Sequence, residues 1–158
     1  MASITKRERL LAVLLFAAAA TLFWIGRSVF TWSLPSRLFA AAAVASIVAV
    51  AAVSWFAAPR LVAGARNKPD LWRGFVAGVL VTAITYVAAV ILLSISVVTW
   101  TVITGSFDGP ETPAMAMLSL ATRGIIHAVT NFSPAMLLGG VAGVLLYRSV
   151  RSEAQKAV

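Results

Sequence analysis

The chain has no cysteine, a single histidine and only five acidic residues in 158. Without cysteine there is no disulfide framework, thiol nucleophile, or Cys-based zinc or iron–sulfur site. A zinc site built on His127 would need several oxygen ligands that its apolar surroundings do not offer. A haem held by His127 would need its second axial ligand from another chain, or an open position. A serine nucleophile would have His127 as its only base, and no GxSxG elbow accompanies any serine. None of Glu8, Asp70, Asp108, Glu111 and Glu153 falls inside a long apolar run. The embedded carboxylate relay of proton-driven carriers therefore has no candidate. The chain is expected to be non-enzymatic and to need no cofactor or metal.

What the chain has in excess is apolar surface. Hydrophobic residues make up 61% and charged residues 11%, and the mean hydropathy is +0.95. Soluble domains contain about 45–50% apolar residues, and a soluble chain of this size would leave large apolar patches in water. The net charge of +8 could suggest nucleic acid. However, the cations cluster at the ends of apolar runs rather than in a stripe interleaved with aromatics, so no nucleic-acid partner is expected. The predicted partner is the lipid bilayer.

A membrane helix needs about 20 apolar residues. Four runs meet this, and they predict an all-α four-transmembrane-helix bundle in a single membrane domain over 1–158, with helices at about 10–32, 38–58, 74–103 and 125–147. In this reading Pro59 and Arg60 close the second helix. The amino-terminal KRER with the apolar run behind it also resembles a secretory signal peptide. We expect it to be retained as the first crossing. No internal repeat and no appended soluble domain is discernible.

Ten cations fall on one side of such a bundle: Lys6, Arg7, Arg9, Arg60, Arg66, Lys68, Arg73, Arg148, Arg151 and Lys156. The other side holds Arg27 and Arg37, with Asp108 and Glu111 in GSFDGPETP. The positive-inside rule then predicts both termini in the cytoplasm. Trp24, Trp32 and Trp100 fall near the outer boundary, and Trp55, Trp72 and Tyr147 near the inner one, as aromatic belts would place them. The serines and threonines of the runs, Ser46, Ser54, Thr82, Thr85, Ser94 and Ser96, are expected to bond to their own helix backbone one turn earlier.

The stretch RGIIHAVTNFSPAMLLGGVAG (123–143) sets polar residues inside apolar sequence. On a helical wheel with Arg123 at zero, Thr130 falls at about −20°, His127 at about +40° and Asn131 at about +80°. Counted from Arg148, Asn131 lies roughly 25 Å up the helix, His127 about 31 Å and Arg123 about 37 Å. This face is either a ramp leading Arg123 into the headgroups or a small ligand-binding or transport site near the outer leaflet. The apolar length from Ala114 to Tyr147 exceeds one crossing. Either the third and fourth helices protrude as a hairpin, or a short helix over 114–122 lies along the interface, with a break at Gly124; the second is preferred.

Gly74 with Gly78, and Gly139 with Gly143, are spaced i, i+4. Small residues at that spacing let helix backbones approach closely, either within the chain or against a partner. Size and helix plan are those of small bacterial inner-membrane proteins. The expected function is a subunit or accessory factor of a larger membrane assembly, and the expected protein partners are other membrane subunits or further copies of the chain. The alternative is a small oligomeric transporter or channel whose pathway includes Arg123, His127, Thr130 and Asn131.

Overall fold

The computed structural model describes residues 5–31, 37–67, 70–107, 112–130 and 134–156, with side chains at all of these except 27–31, 37–41, 127–130 and 153–156. The described residues form five helices and no strand: α1 (Lys6–Thr31), α2 (Arg37–Asn67), α3 (Leu71–Ile103), α4 (Pro113–Thr130) and α5 (Pro134–Lys156). Three are long and apolar enough to cross a membrane, within Lys6–Gly26, Ala42–Asn67 and Leu71–Ile103. They support a membrane location.

α1 starts four residues before the expected boundary at Leu10, because TKRE is a capping box. The Glu8 amide donates to Thr5 Oγ1 (3.3 Å), and the Thr5 amide donates back to Glu8 Oε2 (2.9 Å). Two otherwise unpaired helix-start donors are thereby satisfied.

α2 does not stop at Ala58. It passes through Pro59 and continues for eight more residues to Asn67. A proline inside a helix removes one backbone bond and costs about 3 kcal/mol. Here burial of Leu61, Val62 and Ala65 beyond it offsets that cost, since all three lie in the core with Ala12, Phe16, Leu146, Tyr147 and Val150.

α3 opens at Asp70, whose carboxylate accepts from the Trp72 amide at 3.0 Å. Its 33 residues span about 50 Å, well beyond a 30 Å hydrocarbon layer. The turn after it uses Gly105 at φ +66°, a left-handed conformation open to glycine at little cost.

The last third of the chain departs most from expectation. α4 is one helix from Pro113 to Thr130, running through Gly124 without a break, and the next helix begins at Pro134. The expected helix over 125–147 is thus shared between α4 and α5, and 114–122 is not a separate element. A lone glycine costs a helix only about 1 kcal/mol. Proline is the stronger punctuation: it disfavours helical geometry in the residue before it and suits the first position of a new helix. α4 lies along α3, with Gly124 beside Val90, which corresponds to the hairpin and not to an independent interfacial helix.

Packing is uneven along the molecule. α1 packs on α2, α2 on α3, α3 on α5, and α5 returns to α1, closing a ring of four helices. α4 packs on α3 and has no comparable contact with α1, α2 or α5 among the described residues. Because Gly124 faces Val90 while Gly139 and Gly143 face Gly78 and Gly74, α4 and α5 lie in series, antiparallel to α3.

Candidate functional site

Of the polar residues singled out near the end of the chain, Arg123, His127 and Thr130 all sit on α4, within about 60° of one another on its surface. The Arg123 side chain is exposed. Asn131 lies outside the described residues, as do the side chains of His127 and Thr130. Pro134 opens α5. Among the described residues no group of three His, Asp or Glu side chains comes together to hold a metal.

The four glycines meet one another across α3 and α5. A Cβ on Gly78 would collide with the Gly139 carbonyl, and one on Gly143 with the Gly74 carbonyl. At Gly74 a Cβ would stand 2.9 Å from Tyr147 Cγ and 3.1 Å from the Gly143 carbonyl oxygen. At Gly78 and Gly143 the obstacles are backbone, so a side chain there cannot be accommodated by a rotamer change. Thr82 fills the next position: its Oγ1 donates to the Gly78 carbonyl at 3.0 Å and abuts Gly139. The seam continues into α2, where a Cβ on Gly64 would lie 2.6 Å from the Tyr147 hydroxyl. Both glycine pairs are therefore occupied by contacts within the chain.

At the same end of the bundle is a constellation that the run-by-run reading passed over. Glu8 is only 5% exposed. Its Oε1 accepts from Arg66 Nη2 at 2.5 Å, and its Oε2 accepts from the Thr5 hydroxyl at 3.1 Å. The carboxylate thus joins the start of α1 to the end of α2. Arg9 lies over the Trp55 ring, 5.4 Å from its centroid. The signal for this cluster was in the sequence: a threonine followed three residues later by glutamate, directly before an apolar run.

Thr82, Thr85, Ser94, Ser96 and Ser46 each donate to the carbonyl four residues earlier. Ser54 departs from that expectation. It is fully buried on α2, and its hydroxyl has no partner among the described residues.

Comparison of the chain with protein-family models, with curated proteins and with solved structures found no match. The functional reading rests on the geometry alone.

Proposed function

We propose that this chain is a four-crossing protein of the bacterial inner membrane, with both termini on the cytoplasmic side, that acts without catalysis as a subunit or accessory factor of a larger membrane assembly. The fourth crossing in this reading is α4 and α5 together. The clustering of ten cations on one side of the crossings supports the orientation.

The observation that carries the subunit reading is the one-sided packing of α4. The glycine faces are used up inside the chain, so association has to draw on another surface. Among the described residues α4 packs chiefly on α3 and leaves Met115, Leu118 and Thr122 exposed at i, i+3 and i+7, a stripe on which one more helix would lie. Native mass spectrometry of the particle extracted from its own membranes in mild detergent is the test. Stoichiometric foreign subunits are expected, and Leu118→Asn should reduce their recovery while leaving this chain's level unchanged. A lone monomer or homo-oligomer would overturn the reading.

One observation favours a transporter or channel instead. α4 ends at Thr130 and α5 begins at Pro134 while both lie along α3. Helix ends leave backbone groups unpaired, and at membrane depth those groups need protein, water or solute as partners. In that reading Arg123, His127, Thr130 and Asn131 line the pathway. His127→Ala and Asn131→Ala would then abolish transport by reconstituted vesicles at normal protein level.

A further inference from the structure

We propose that the Tyr147 end of the bundle carries a collar that selects anionic phospholipid from the surrounding bilayer. The inference rests on the reading of the chain as membrane-embedded, and it goes beyond topology to a binding preference.

The collar is assembled by all four ring helices. The Glu8–Arg66 pair fixes the start of α1 beside the end of α2. The connection from Asn67 to Leu71 brings in the start of α3, and Tyr147, packed against Gly64 and Gly74, brings in α5. The exposed cations delivered to this end include Lys6 from α1, Arg60 from α2, Arg73 from α3, and Arg148 and Arg151 from α5. The two described acids nearby do not offset them at the surface. Glu8 is buried against Arg66, and Asp70 caps the α3 backbone.

Height and neighbours identify the occupant. Arg60 stands seven residues before the end of α2, so the collar is about 10 Å deep. The headgroup layer of one leaflet is roughly 5–8 Å thick. Among these cations lie large exposed rings: Phe56 is 80% exposed and Trp72 68%. Trp72 stacks on Phe75 with centroids 5.6 Å apart. Nucleic acid could stack on such rings, but here they continue into bare aliphatic surface at Leu71 and Val76, which a soluble polyanion would leave in water. A phospholipid, with a phosphate at one level and acyl chains at the next, meets both.

The experiment uses the full chain carrying Trp24→Phe, Trp32→Phe and Trp100→Phe, so that fluorescence reports from Trp55 and Trp72. The protein is reconstituted in phosphatidylcholine vesicles containing a minor fraction of brominated phosphatidylglycerol. The control has the bromine on the phosphatidylcholine. Brominated phosphatidylglycerol is expected to quench several-fold beyond its mole fraction, with the excess falling as salt is raised. A cation at a charged surface contributes about fivefold, so the Arg60→Gln/Arg73→Gln/Arg148→Gln variant should lose most of the excess. Quenching by each lipid in proportion to its mole fraction would overturn the collar and leave the membrane reading intact. An excess unchanged in the triple variant would also overturn it. Absence of quenching by either lipid would overturn the membrane reading itself. Tight binding of a DNA oligonucleotide by the detergent-solubilised protein, with no lipid selectivity, would reassign the surface to soluble polyanions.

Discussion

The two ends of this molecule are built on different principles. Where α1, α2, α3 and α5 close their ring, contact is made backbone to backbone through Gly74, Gly78, Gly139 and Gly143. It is reinforced by a buried carboxylate and a tyrosine set into a glycine notch. Along α4, contact is made through one neighbour, with Val90 against Gly124, and large apolar side chains stay exposed at Met115, Leu118, Trp100 and Ile103. The first end is specified by what cannot be enlarged. The second is held chiefly along its seam with α3, and large apolar side chains are exposed at both ends, Phe56 and Trp72 at the first among them. Lipid supplies no hydrophobic drive between helices, so close backbone approach is the main means of fixing a helix pair. This chain concentrates that means at one end.

Substitutions can break or sharpen the contrast. The largest effect is expected from Gly78→Leu, whose Cβ meets the Gly139 backbone. It should cost about 3 kcal/mol or more, read as a large drop in thermal unfolding temperature in detergent. Gly124→Leu meets only the Val90 side chain, which can move, and should cost clearly less. Equal losses would erase the distinction between the ends. Glu8→Gln should be next, at about 2 kcal/mol, below the 3–5 kcal/mol of a fully buried pair because Arg66 is partly exposed. A double-mutant cycle with Arg66→Met isolates the pair. Ser54→Ala should stabilise by about 1 kcal/mol, since it removes a buried hydroxyl that has no partner among the described residues. The smallest effect is expected at Leu118, where Asn should stay within about 0.5 kcal/mol of the parent in the isolated protein.

Composition and run length made the all-helical membrane fold readable before any coordinates. Boundaries were less readable wherever tertiary packing outweighs a local signal. Pro59 and Arg60 look like a stop, yet Leu61, Val62 and Ala65 have core to enter, and the helix continues. Gly124 looks like a break, but its small size serves close packing on α3, and the new helix starts at Pro134. The spacing of the glycine pairs was visible in the sequence. Which partner each pair faced was not, because that depends on the register of two helices distant in the chain. Glu8 was readable in TKRE as a cap. Its ion pair with Arg66 was not, since it depends on α2 persisting past its proline. For Arg123, His127 and Thr130 the sequence reached the shared helix face. It could not foresee that a new helix begins at Pro134, so that the single helix expected over 125–147 is shared between α4 and α5.

The glycine seam also bears on how the protein is made. Gly74 and Gly78 are synthesised before the residues that cover them, Gly139, Gly143 and Tyr147. Until α5 follows, the notch on α3 stays open, whereas the Glu8 latch between α1 and α2 has both of its partners in place. Closure of the ring therefore waits for α5, and a chain cut before Pro134 would keep that notch uncovered.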